Sequence, residues 1–168
     1  MATSAIDLEL NYQAEPSTSK LGIGLIGAGF IMRDVHMAAY HQAGYNLVGI
    51  ASRTKEHAQV AADQWGVSTV YDTWQDLLKD PRIEIVDVAY PPHLQLDVVR
   101  EAVKEKSHIK GILAQKPLAT NLKDAEEMVR LCEEAGIVLS VNQNMRYDQS
   151  IRSLKTLLDR GDLGEPVV

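Results

Sequence analysis

Apolar residues along this chain come in short runs separated by longer amphipathic stretches. Ile23-Gly24-Leu25-Ile26 is the first run and Leu47-Val48-Gly49-Ile50-Ala51 the second. Thr69-Val70-Tyr71, Ile83 to Ala89, Ile109 to Ala114 and Ile137 to Val141 follow. Runs this short and continuous suit strands covered on both faces. The stretches between them read as helices. Phe30 to Ala43 sets Ile31, Val35, Ala38 and Ala39 on one face and stops at Gly44. Thr54 is the expected cap of a helix through Trp65, closed by Gly66. Asp72 or Thr73 caps a short helix that ends before Pro81. His93 to about Lys106 is a fourth helix. Asn121 starts a fifth, with Asp124 placed as in a capping box and Gly136 at its end. Ser150 to Arg160 is the last, closed by Gly161.

Strands alternating with helices require right-handed crossovers and a parallel sheet. The expected fold is therefore α/β, a doubly wound parallel sheet with its ligand crevice at the carboxyl ends of the strands. Residues 1–20 read as a polar tail, turn-like at Pro16-Ser17-Thr18-Ser19, and order is expected to start at Leu21. Residues 21–160 make one domain of ordinary size, and 168 residues leave no room for a second full one.

The turn after the first strand is Gly27-Ala28-Gly29-Phe30-Ile31-Met32. Gly27 permits a tight turn, and Gly29 lets backbone approach a pyrophosphate at the N-terminus of the next helix. Strand, turn and helix stand in the order that a dinucleotide fingerprint requires. Its third glycine is replaced by Met32, at a position that serves helix–strand packing. Gly27, Gly29, Phe30 and Ile31 are the expected cofactor contacts here. The second strand ends in Ala51-Ser52-Arg53, with none of the carboxylate that holds the adenosine ribose hydroxyls of NAD. Arg53 can pair with a 2′-phosphate and the Ser52 hydroxyl can donate to it, which favours NADP over NAD.

Composition narrows the partners. Lys and Arg number 17 against 23 Asp and Glu, a formal charge of -6. The chain has no Lys/Arg cluster to track a nucleic-acid backbone. The apolar stretch Leu21 to Met32 is too short to cross a bilayer, and the N-terminus lacks the basic and apolar regions of a secretory signal. A cytoplasmic setting is expected. The lone Cys132 has no partner within the chain and reads as a packed thiol. His36, His41, His57 and His108 lack ligand spacing, so no metal site is expected. No nucleophile elbow is present.

Four later segments resemble the glucose–fructose oxidoreductase / inositol dehydrogenase / MocA (Gfo/Idh/MocA) family. Ala114-Gln115-Lys116-Pro117-Leu118-Ala119 is similar to its Glu-Lys-Pro-Leu-Ala segment. Ile83 to Val99 resembles its fourth-strand segment, with Pro91 at the loop proline. Val141 to Tyr147 resembles its sixth-strand segment, with Arg146 at the usual arginine. Gly161 to Pro166 is similar to its passage into a second domain. The resemblance runs in order from Leu21 to Val168.

It implies a Rossmann domain of an oxidoreductase that moves hydride between nicotinamide and an alcohol or carbonyl carbon of a sugar, polyol or related compound. It implies Lys116 as the catalytic lysine beside nicotinamide ribose and substrate. A lysine partly desolvated in a cleft can stabilise a developing alkoxide. Gln115 stands in place of the usual Glu and keeps a hydrogen-bonding amide there. Gln95 replaces a common His and Pro92 a common Asn. Tyr90, Pro91 and His93 form a rigid loop expected above the cofactor. Asn144 is a candidate cofactor contact and Arg146, with Lys116, a candidate substrate contact; Asn142 can also present a donor.

Residues 161–168 would open the passage to a C-terminal substrate domain. That domain brings an acid–base His in the family and offers a surface for oligomers. The 168-residue chain alone is thus expected to bind cofactor and turn over substrate poorly. The competing reading from another class is a non-catalytic nucleotide-sensing regulatory module, kept open by Gln115 and Met32. A third is a doubly wound domain for another nucleotide.

Overall fold

A computed structural model describes residues 18–165. The expected tail over residues 1–17, and Pro166 to Val168 of the passage motif, lie outside the described residues. The described chain divides into a compact unit from Thr18 to Asn142 and a segment from Gln143 onward.

Within Thr18–Asn142 the strands are β1 (Gly22–Ile26), β2 (Asn46–Ala51), β3 (Thr69–Tyr71), β4 (Ile85–Val88), β5 (Gly111–Gln115) and β6 (Val138–Asn142). The helices are α1 (Met37–Gln42), α2 (Lys55–Trp65), α3 (Trp74–Leu78), α4 (Pro92–Ala102) and α5 (Leu122–Ala135). All six strands lie in one sheet, in the order β3-β2-β1-β4-β5-β6. Every pairing is parallel. The chain leaves β1 toward β2 and β3, then returns to the other side for β4. The order reverses between β1 and β4, where a doubly wound sheet opens a crevice at its carboxyl edge.

Hydrophobic burial holds the two faces. Ile26, Val86, Val88, Ile112 and Ala114 pack with Leu96, Val99, Met128 and Cys132 of α4 and α5. Ile23, Leu25 and Ile50 pack with Met32, Met37, Ala58, Ala61 and Ala62 of the helices on the other face. The small alanines let α2 lie close against β2. Each fully buried Leu or Ile side chain contributes roughly 1.5–3 kcal/mol.

The helix after β1 departs from the expected register. Residues Ile31–His36 are wound as a π-helix, with the Met37 N–H bonding back to Met32 O, before α1 continues. Widening the turn slips the faces against the sequence period. Met32, His36 and Met37 are therefore buried, whereas Ile31, Val35 and Ala39 of the expected apolar face are exposed. Thr54 precedes α2 but makes no side-chain cap bond, contrary to expectation. Thr73 and Asn121 do cap, accepting from the N–H groups of Asp76 and Asp124. The Asn121 amide also donates to the Asp124 carboxylate at 2.7 Å. The fourth helix ends at Ala102 and tightens into a 3-10 turn over Val103–Glu105. Among the described residues no helix is long and apolar enough to cross a membrane.

The segment from Gln143 holds a 3-10 turn, Asn144–Tyr147, and α6 (Gln149–Asp159). Asp148 caps α6, accepting from Ser150 N at 2.9 Å and from Ile151 N at 3.4 Å. Each accepted N–H is one that the first helical turn leaves without an internal partner.

Candidate functional site

The carboxyl ends of β1, β2 and β4 meet around one cleft of about 670 Å³. The β1 end supplies Gly27, Ala28 and Gly29; the β2 end supplies Ser52, Arg53 and Thr54. Ala89, Tyr90 and Pro91 come from beyond β4. His57, Asp72, Thr73, Trp74, Gln75, Leu94 and Asp97 complete the wall.

The glycine turn is fixed from two sides. Gly27 N–H donates to Ala51 O at 2.8 Å, which ties the turn to β2. Gly27 has φ 105°, and a Cβ there would stand 2.7 Å from Ala89 O at the end of β4. Only glycine satisfies both conditions. Gly29 is the opposite case. A Cβ on it would meet no heavy atom within 4 Å, so the space beside it opens to the cleft. That open backbone fits a pyrophosphate, and a side chain would fill the cradle.

Arg53 is exposed at the rim and Ser52 half-buried beside it. No carboxylate among the described residues pairs with Arg53. The two acids in the wall are both paired, Asp72 with Lys55 and Asp97 with Arg100. Burial pushes the Tyr90 hydroxyl above its ordinary pKa, while the Arg53 charge pulls it the other way. The guanidinium and the phenol thus share one electrostatic environment. The region suits an anion: among the described residues it has a cation without a carboxylate partner, an open glycine backbone, and acids that already have cationic partners.

Phe30 and Ile31, expected as contacts, are 68% and 40% exposed and do not line the cleft. His93 is exposed on the first turn of α4, also outside the lining. Gln115 ends β5 and Lys116 follows it, exposed and outside this cleft. The Lys116 N–H donates to Gln115 Oε1 at 2.9 Å, and the Lys116–Pro117 peptide is cis. Asn144 and Arg146 sit on the 3-10 turn of the segment after Asn142. Among the described residues no group of His, Cys, Asp and Glu could hold a metal. Cys132 is buried, which pushes its thiol up to about 11 and keeps it a packing group.

Sequence reasoning missed two buried polar clusters. Asp87, wholly buried in β4, accepts from the Tyr40 hydroxyl at 2.7 Å and bonds His36 Nδ1 at 2.7 Å. His36 Nε2 faces the Asn142 amide at 2.7 Å. With Nδ1–H on Asp87, Nε2 is the acceptor for Asn142. The available signal was a carboxylate inside an apolar strand, Ile-Val-Asp-Val. The second cluster is Gln95, also wholly buried, whose amide bonds the backbone on both sides of Lys116.

Comparison with known proteins bears on this geometry. A family model described as "Oxidoreductase family, NAD-binding Rossmann fold" matches residues 21–143. A 1,5-anhydro-D-fructose reductase of Ensifer adhaerens is 31% identical over 144 residues, which are 86% of this chain and 42% of that protein. A D-apiose dehydrogenase of Rhizobium rhizogenes is 32% identical over 142 residues, 84% of this chain and 40% of that one. Among solved structures, an oxidoreductase from Agrobacterium radiobacter in complex with NAD+, L-tartaric acid and magnesium aligns with TM-score 0.81 at 32% identity. The alignment covers 88% of this chain and 42% of that chain. A myo-inositol dehydrogenase from Lactobacillus casei in complex with NAD(H) and myo-inositol aligns with TM-score 0.79 at 31% identity, over 88% and 43%. This chain therefore spans about two fifths of the length of the relatives it matches.

Proposed function

The chain belongs to the oxidoreductase family with an NAD-binding Rossmann fold, and from that premise we propose that it binds NADP for hydride transfer to or from a sugar, polyol or related carbon. When bound, the nicotinamide dinucleotide supplies the hydride acceptor or donor. The protein's part is to bind, orient and stabilise charge.

Gly27 and Gly29 hold the pyrophosphate at the start of the helix after β1. Phe30 and Ile31 flank that turn. Ser52 and Arg53 take the ribose 2′-phosphate, Arg53 through charge-assisted hydrogen bonds. Tyr90, Pro91 and His93 border the dinucleotide on the far side. Gln115 offers an amide to a ribose hydroxyl or carboxamide. Lys116 is the catalytic group: its ammonium would stabilise the alkoxide from which hydride departs, or the alkoxide that forms when hydride reaches a carbonyl carbon. Arg146 meets the substrate and Asn144 the cofactor. Substrate enclosure and assembly belong to a second domain reached through residues 161–168. A cytoplasmic setting suits its single buried thiol.

One observation carries the cofactor preference. Arg53 lies just past the end of β2, where an NAD-selective site needs an acid, and it has no carboxylate partner among the described residues. The test is titration with NADPH and NADH, followed by cofactor fluorescence, on wild type and Arg53→Ala. A preference for NADPH that the variant loses supports the reading. Equal loss for both cofactors, or no loss, rejects it.

A further inference from the structure

We propose that Gln95 is the positioning residue for Lys116, an inference that rests on Lys116 working beside the cofactor. Gln95 lies on the first turns of α4, fully buried. Its Oε1 accepts from the Gln115 N–H at 2.8 Å. Its Nε2 donates to Gln115 O at 2.9 Å, Pro117 O at 3.0 Å and Leu118 O at 3.2 Å. Two hydrogens serve three carbonyls, so at least one is shared. All four contacts are to backbone.

The consequence is specific to Lys116. Its two flanks, Gln115 and Pro117-Leu118, are tied to one amide, so the point from which its side chain emerges is fixed. That side chain itself stays exposed and free to meet a ligand. The same helix starts at Pro92, directly after Tyr90 and Pro91 in the cleft wall. Gln95 therefore references the lysine to the wall that borders the cofactor. The position calls for a side chain with both a donor and an acceptor. A carboxylate would face three carbonyls with no donor, and an apolar residue would remove the partner that the Gln115 N–H and the three carbonyls share. Reacting groups lose efficiency when their supporting contacts let them drift by an ångström.

The test reads Lys116 directly in the 168-residue chain. Lysines are labelled with an amine-reactive reagent, with and without NADPH, and quantified by peptide mass spectrometry. Lys123 and Lys155 serve as internal controls. With NADPH at ten times its Kd, a covered Lys116 labels about tenfold more slowly. In Gln95→Met we expect that protection to fall below about twofold, with the NADPH affinity set by the glycine turn and Arg53 changed less than about threefold. Gln95→His keeps one donor and one acceptor and should restore part of the protection. If Gln95→Met loses its fold by melting, the paired readings are taken on Gln95→His, which should show intermediate protection. Full protection in the folded variant overturns the proposal. If NADPH binds wild type yet leaves Lys116 labelled at the control rate, the assignment of Lys116 itself fails and this inference with it.

Discussion

The two edges of the sheet are built to opposite plans. At the amino edge, backbone and charge close on themselves. Glu84 exchanges backbone bonds with Gly22 and Lys110: its N–H donates to Gly22 O at 2.8 Å and its carbonyl accepts from Lys110 N at 2.7 Å. Its carboxylate also takes the Gly22 N–H and the Lys110 ammonium. Arg82 and Tyr71 both satisfy Asp80 nearby. At the carboxyl edge the glycine backbone opens to the cleft, Arg53 is unpaired among the described residues, and Lys116 points to solvent. A strand end that needs only stability can satisfy its polar groups internally. A strand end that must receive a ligand leaves donors and a cation unmatched.

Breaking the carboxyl edge at its structural glycine should give the largest effect. Gly27→Ala forces a side chain onto φ 105° and against Ala89 O. The cost is about 3 kcal/mol of stability, read by denaturant melts, together with loss of NADPH binding. Next comes Arg53→Ala. Losing charge-assisted bonds to a phosphate should weaken NADPH by about tenfold to a hundredfold, with stability unchanged within about 0.5 kcal/mol. Gly29→Ala should separate the two roles of the turn. Its Cβ meets nothing, so melting holds within about 0.5 kcal/mol. NADPH and NADH affinities should fall together, because the new methyl occupies the shared pyrophosphate cradle.

The smallest effect is expected at the amino edge. The Lys110 ammonium, with help from the Gly22 N–H, holds the Glu84 carboxyl below its ordinary value of 4.5. A carboxyl depressed in the folded state stabilises it above the unfolded pKa, and that contribution disappears as pH falls through the folded value. The stability gap between wild type and Glu84→Gln should be small at neutral pH and vanish in acid. Cofactor affinity should not change. A gap that grows on acidification would reverse the sign of the argument.

Much of the fold was legible because the apolar runs had the length and continuity of doubly covered strands. All six strands and their parallel pairing follow from that pattern, though their spatial order does not. The glycine turn and Ser52-Arg53 were legible too, since both depend on position at a strand end, and both line the cleft. What escaped was geometry that a 3.6-residue period does not carry. The π-wound turn over Ile31–His36 moved burial from Ile31 and Val35 to Met32 and His36. Thr54 precedes α2 and lines the cleft, yet makes no side-chain cap bond. The Asp87–His36–Asn142 and Gln95 clusters join residues far apart in sequence, and local reading has no access to such pairs. Gln95 had been visible only as a departure from a resembling pattern; its four backbone contacts give it a reason.

The central claim is that ligand binding belongs to the carboxyl edge alone. Amide hydrogen exchange on the 168-residue chain, with and without NADPH, tests it most directly. The expected result is slowed exchange at Gly27 to Met32, Ser52 to Thr54, and Tyr90, His93 and Leu94, with Glu84, Lys110 and Gly111 unchanged. Protection centred on the amino edge, or none at saturating NADPH, would contradict the account.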